Sequence, residues 1–463
     1  MKNLKLTILF FLIACVCYAQ SIAPFKQGDK VAFVGNSITE IGYYESYIWL
    51  YYMLHFPGQR VEIVNKGIGG NVAMDMYKRW DADIMDCKPN IIALTFGMND
   101  SRYIEYLQPN AAQAAKDAVD VAYKSYKLLE KRMLELKDVK KILIASSPYD
   151  ETQKKAGDQV FTGKTRTMLE IAKFQEEATK QNNWGFVDFL RPMLEINAKM
   201  QKTDSTYSVI GTGRVHPGNG GNLVMAYLFL KSQGLAGSCV ADVKIDASRK
   251  KLSDSQNCTI TNLSVKPTLI TFDYLANSLP YPVENISRIS DNPQKQSDAL
   301  NVIPFTEDLN REMLTIKGLK GKNYILKIDH QEIGKWSAAE FSKGINLALL
   351  TNTPQYKQAQ KVSELNFQRY KIEGSFRAYN WMEFSYFLDK GMLYKDDDVA
   401  VDSVMARAEK DWGVAVNKDR YLSMRLKGVR DCWTVEMHRI TDKIYAINKP
   451  TIHKLEIIEE KNN

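Results

Sequence analysis

At 463 residues the chain is about three times the ~150-residue domain prior, so two or three domains are expected. Hydrophobic residues at 45% and charged residues at 25% exclude a fibrous, collagenous or disordered chain. The net charge of +8, from 62 basic against 54 acidic residues, is scattered along the chain, which argues for a solvated surface and against a nucleic-acid partner.

Lys2 and Lys5 precede an apolar run from Leu6 to Ala14, and the small residues Cys17 and Ala19 bracket Tyr18. This is the pattern of a secretory signal peptide over 1–19, cleaved after Ala19. The apolar run is too short to cross a ~30 Å hydrocarbon core as a helix. Leu12-Ile13-Ala14-Cys15 also resembles a lipoprotein signal, which would put a lipid on Cys15 and tether the protein to a membrane surface. Both readings place the protein outside the cytoplasm, in the periplasm, at the cell surface or beyond. Four cysteines follow the leader, Cys87, Cys239, Cys258 and Cys432, and their spacing matches no zinc pattern. In an oxidising compartment either a Cys239–Cys258 bridge or isolated thiols would be consistent with the sequence.

From residue 24 to 235 short apolar runs alternate with helix-length segments: VAFV (31–34), VEIV (61–64), IIALTF (91–96), KILIAS (141–146) and GFVDF (185–189). The connecting segments, such as Ala111 to Leu136, have helical periodicity. Five βα units of this kind point to an α/β fold with a doubly wound, parallel, five-stranded sheet in flavodoxin-like order. Ligands of such sheets bind outside the carboxyl ends of the strands. Over 240–345 the texture turns to β-type alternation between Gly, Pro, Asn and Asp turns, as in LITFDYL and NYILKID, giving a small β-rich domain. Residues 346–463 are mainly helical. Their pattern leaves open whether they stand as a third domain or return to cover the first.

Four segments carry the chemistry, and three of them directly follow a predicted strand. Gly35-Asn36-Ser37-Ile38-Thr39 puts a serine on a strand-to-helix turn, where it is either a nucleophile or a helix cap. Asn65-Lys66-Gly67-Ile68-Gly69-Gly70-Asn71 lets backbone N–H groups approach a substrate oxygen, or simply makes a tight turn. Gly97-Met98-Asn99-Asp100 offers an Asn side chain to the same oxygen, though Asn and Asp are also ordinary turn formers. Gly213-Arg214-Val215-His216-Pro217 places one of only five histidines in a polar loop, suited to general-base chemistry near neutral pH.

In this order and on this strand pattern, the four segments resemble the conserved blocks of the SGNH, or GDSL-like, hydrolases over roughly residues 28–235. The resemblance implies Ser37 as nucleophile and His216 as base. It implies an oxyanion hole from the Ser37 and Gly70 backbone N–H groups and the Asn99 side chain, with neither metal nor cofactor. The later region resembles the tail of multi-domain members from polysaccharide-degrading bacteria. With the export signal, it favours O-acetyl esters on carbohydrate as substrate; the rivals are a lipase or lysophospholipase and a glycan-binding protein that has lost activity. Two positions depart from the family: Asn36 stands where it usually has aspartate, and Gly213 stands where it has the aspartate that orients the histidine. Asp188, Asp204 or a main-chain carbonyl would have to take over that role.

Overall fold

The computed structural model describes residues 22–155 and 157–460, so residues 1–19, read from the sequence as a signal peptide, and Cys15 within them lie outside the described residues. Five parallel strands, β1 (Lys30–Gly35), β2 (Glu62–Gly67), β3 (Ile91–Phe96), β4 (Lys140–Ala145) and β5 (Gly185–Asp188), form one sheet in the order β2-β1-β3-β4-β5. That is the doubly wound order the sequence implies. β1 and β3 are buried almost throughout, as near-continuous apolar runs in a parallel sheet should be.

Helices cover both faces of the sheet. On one face Ala111–Glu135 buries Ala122, Tyr126, Leu129 and Met133 against β1, β3 and β4. On the other, Tyr43–His55 and Asn219–Ser232 pack side by side. Every residue of Tyr43–His55 is buried, which fits its composition, apolar or aromatic on every side but for Glu45, Ser46 and His55. Its outer side is covered by the C-terminal helices: Arg369 lies over the Trp49 ring at 4.2 Å, and Asn448 Nδ2 donates to Met53 O at 2.7 Å.

Nine further strands follow among the described residues: β6 (Ala241–Asp246), β7 (Lys251–Gln256), β8 (Cys258–Lys266), β9 (Leu269–Ala276), β10 (Glu312–Lys317), β11 (Asn323–Ile328), β12 (Gln331–Ser337), β13 (Ile345–Asn346) and β14 (His453–Glu459). They form two sheets, ordered β13-β10-β6-β7 and β12-β11-β14-β9-β8, around a shared core of Val243, Ile245, Phe272, Leu326 and Ile457. β14 pairs between β11 and β9, so the end of the chain completes the β unit, and the helices from Pro354 to Ile447 are an excursion out of it. This differs from the sequence reading, which ends the β unit at 345; the alternation His453–Glu459 is a single short strand after a long helical stretch and gives no local cue to its partners. Cys239 and Cys258 are free thiols.

Candidate active site

The end of β1 delivers Ser37. Helix Ser37–Ile41 starts at once, and its N-cap is Asn36, whose Oδ1 accepts the Ile38 N–H at 3.0 Å. With that role taken by its neighbour, the Ser37 hydroxyl is released from capping, and its Oγ lies 2.9 Å from His216 Nε2. The helix turns tightly over the strand ends. A Cβ on Gly35 would stand 2.1 Å from Thr39 Oγ1, and one on Gly67 would stand 2.2 Å from the Glu40 nitrogen, so both positions demand glycine.

Opposite the serine, the loops after β2 and β3 are tied together. Asn99 Nδ2 donates to Asn71 O at 3.0 Å, and the Tyr103 hydroxyl donates to Asn99 Oδ1 at 2.8 Å, which fixes the amide and leaves it one further N–H. Buried Asp100 accepts from Ala73 N at 2.8 Å and Gly97 N at 2.9 Å, joining the same loops. Gly70 has a φ of +82°, a conformation that favours glycine. Among the described residues its N–H has no hydrogen-bond partner.

Two buried cations brace this side, and sequence reasoning missed both. Arg79 is fully buried: Nε donates to Asn71 Oδ1 at 2.8 Å, Nη2 to Lys66 O at 2.9 Å, and Nη1 pairs with Asp83, which also holds Lys66 Nζ at 2.8 Å. Lys164 is fully buried too, donating to Met98 O and Ser101 Oγ, each at 2.6 Å, with its Nζ 3.8 Å from the Tyr103 ring centroid. Burial pulls its pKa down to about 7, against the attraction of Asp100 and Glu105. The i,i+4 spacing of Arg79 and Asp83 was a legible signal of pairing; Lys164 opens an amphipathic helix and carried none.

His216 is held from outside the hydrolase sheet. Asn292 Nδ2 donates to Ile210 O at 2.8 Å and to His216 O at 3.2 Å, and Gln294 Oε1 accepts from Gly221 N at 2.7 Å. The imidazole is exposed to the cavity, yet the protein packed around it disfavours its charged form. Burial therefore lowers its pKa from the usual value, and only the nearby Asp291 carboxylate opposes this. Neither acid nominated from the sequence reaches the ring. Asp188 is bonded to the backbone N–H and guanidinium of Arg191, at 3.0 and 2.6 Å, and Asp204 closes a local turn on Thr206. Both sit in sequence where a strand end or loop suggested reach, but the chain directs them to neighbours two or three residues away. Gly213 has ordinary φ and open space at its Cβ position, so the missing carboxylate is not a steric requirement of the turn.

Ser37, His216, Gly70 and Asn99 converge on one cavity of about 610 Å³. Its far wall comes from the C-terminal helices: Arg377, Trp381, Trp412, Asn417 and Arg420. This wall is anchored to the catalytic loops themselves, since Trp381 Nε1 donates to Gly69 O at 3.2 Å and the Tyr370 hydroxyl to Ile41 O at 2.7 Å. The helical region thus covers the first domain, which settles the choice the sequence left open. Glu40 also lines the cavity; burial raises its pKa to about 7, with Arg377 and the Gly69 backbone opposing.

Residues 33–223 match the model of the GDSL-like lipase/acylhydrolase family, and residues 360–449 match that of the diltiazem deacetylase C-terminal helical domain. The structure of a gut microbial diltiazem-metabolizing enzyme is 42% identical and superposes with a TM-score of 0.93 over 96% of this chain and 100% of its own. The chain belongs to the GDSL-like lipase/acylhydrolase family. As such it is a carboxylic ester hydrolase, and the SGNH resemblance read from the four segments holds. An acetylxylan esterase from Geobacillus stearothermophilus is 25% identical over 222 residues, 45% of this chain and 94% of that esterase. The GDSL-like domain therefore accounts for less than half of the chain, and the cavity wall added by the C-terminal helices lies outside it.

Proposed function

We propose that the protein is an exported serine esterase that removes short acyl groups, chiefly acetyl, from carbohydrate. The observation that carries the reading is the 2.9 Å contact between Ser37 Oγ and His216 Nε2 at the strand ends, facing the Asn99 amide. His216, neutral at physiological pH, takes the proton as Ser37 Oγ attacks the ester carbonyl, then returns it to the leaving alcohol. Charge developing on the carbonyl oxygen meets the Ser37 N–H at the first turn of its helix, the unpartnered Gly70 N–H and the remaining Asn99 N–H. Water then attacks the acetyl-Ser37 ester by the same route, releasing acetate.

The carbohydrate reading is supported by the similarity to the acetylxylan esterase and by the cavity wall. Trp412, 81% exposed on this wall, presents an indole face to the cavity, and Asn417 and Arg420 offer donors to hydroxyl groups beside it. Glu40, Arg377 and Arg420 are poor lining for a fatty acyl chain, which disfavours the lipase reading. The likeness to the diltiazem-metabolizing enzyme supports a second use of the same site, on acetyl esters of bulky alcohols that are not sugars. The basic and apolar composition of residues 1–19 supports export.

Acetate release from acetylated xylo-oligosaccharide, together with a p-nitrophenyl ester series from acetate to octanoate, tests this. Acetyl esters should be preferred. A tenfold higher kcat/KM for octanoate would overturn the carbohydrate reading.

A further inference from the structure

Gly213 removes the carboxylate that the family uses behind its histidine, and Asp188 and Asp204 are committed elsewhere. The segment after the hydrolase domain fills the gap. Residues 287–294 form a turn, bridged between Ile289 and Asn292, that is built onto the His216 loop. Thr212 Oγ1 donates to Asp291 O at 2.8 Å, Asn292 bonds the Ile210 and His216 carbonyls, and Arg288 N donates to Asn219 Oδ1 at 2.7 Å. Asn292 is seated so closely that a Cβ on Gly211 or Gly218 would come within 2.4 or 2.6 Å of its side chain. This turn holds Asp291 against the histidine loop through its main-chain oxygen on Thr212, with its neighbour Asn292 on the His216 carbonyl, and leaves a carboxylate that accepts no hydrogen bond from any described residue and whose charge favours the imidazolium.

We propose that Asp291, from outside the hydrolase domain, is the positioning residue for His216: its carboxylate orients the ring and stabilises the imidazolium formed when Ser37 gives up its proton. The inference rests on the Ser37–His216 reading above. No hydrogen bond joins Asp291 to the ring in the resting structure; such contacts in free enzymes often tighten only as charge develops. Asp291 is exposed, so its field is partly screened by water and its effect is smaller than that of a buried partner. The other charged groups around the histidine do not compete for this role. Glu40, Arg377 and Arg420 line the cavity on the substrate side, Lys155 Nζ donates to Thr212 O, and Arg214 is turned inward onto Asp150 O and Asp158.

The experiment compares the full-length wild type, Asp291→Asn, Gly213→Asp/Asp291→Asn and Ser37→Ala, with kcat and the pH profile of kcat/KM on p-nitrophenyl acetate and circular dichroism as a check of folding. Asp291→Asn keeps the size of the side chain and the main-chain bond to Thr212. It should lower kcat by about 10²-fold, short of the ~10⁴-fold seen where a protease aspartate bonds its histidine directly. Its acid limb should move to lower pH, because the charge that holds the imidazolium is gone. Gly213→Asp in that background restores the family's carboxylate in open space and should recover at least a tenfold part of the loss. Unchanged kcat and acid limb in Asp291→Asn overturn the proposal. So does a loss of kcat with neither a shifted limb nor rescue, which would make Asp291 merely structural. Turnover that survives Ser37→Ala instead overturns the serine reading on which the proposal rests.

Discussion

Around Asn99 and Gly70 the site is braced by buried charge drawn from the hydrolase domain, Arg79 with Asp83 and Lys66 on one loop and Lys164 on the other. Around His216 it is braced by neutral amides, Asn292 and Gln294, that arrive from a turn about 76 residues downstream. A buried ion pair broken on one side leaves an uncompensated charge in a low-dielectric interior, whereas a lost buried amide such as Asn292 leaves only neutral carbonyls unpaired, a smaller penalty. Loss of the charged bracing on the oxyanion side should therefore cost the fold, and loss of the amides on the histidine side should cost alignment.

The largest effect is expected at Arg79. Arg79→Ala strips one partner from Asp83 and two carbonyl and amide acceptors, and should lower unfolding free energy by about 3–5 kcal/mol in urea titration. Asn99→Ala should leave the urea midpoint nearly unchanged while lowering kcat on p-nitrophenyl acetate by about 10²–10³-fold, the usual cost of one oxyanion donor. An unchanged rate would remove Asn99 from the site.

Asn292→Ala tests the other half. Loss of its bonds to the Ile210 and His216 carbonyls should cost about 1–3 kcal/mol of stability and reduce kcat, with KM little altered, because the ring loses its seat and the substrate wall does not. In the pH profile, His216 must be neutral to accept the serine proton. Since burial lowers its pKa, activity should rise with pH through a limb centred below the usual ~6.5 and be fully developed at neutrality. A limb centred above that value would contradict the environment described for the ring. The smallest effect belongs to Trp412→Ala, which should raise KM for acetylated xylo-oligosaccharide a few-fold while leaving kcat on p-nitrophenyl acetate unchanged.

What was legible in the sequence follows the same line. The five strands, Ser37, Gly70 and Asn99 are local features: an apolar run, then a turn whose residue types announce its chemistry. His216 could be picked out because histidine is scarce and its loop is polar. Asp291 and Asn292 could not, since a turn in a stretch without periodicity says nothing about which loop it will dock against. The sequence points to Asp188 and Asp204 because they lie near strand ends or the histidine loop, but short-range hydrogen bonds claim them first. Arg79 and Lys164 read as solvated helix charges until tertiary packing buries them. Trp412 and Arg377 belong to a helical region whose pattern gives no direction to its faces, and β14 finds its place in the middle of a sheet only through strands well over a hundred residues earlier.

The most direct measurement is mass spectrometry of the full-length enzyme quenched during turnover of p-nitrophenyl acetate, paired with the steady-state rate of Ser37→Ala. A single acetyl group on the peptide that contains Ser37, and hydrolysis reduced to background in Ser37→Ala, is the expected result. Acetylation of another residue, or turnover that persists without the Ser37 hydroxyl, would contradict the serine mechanism.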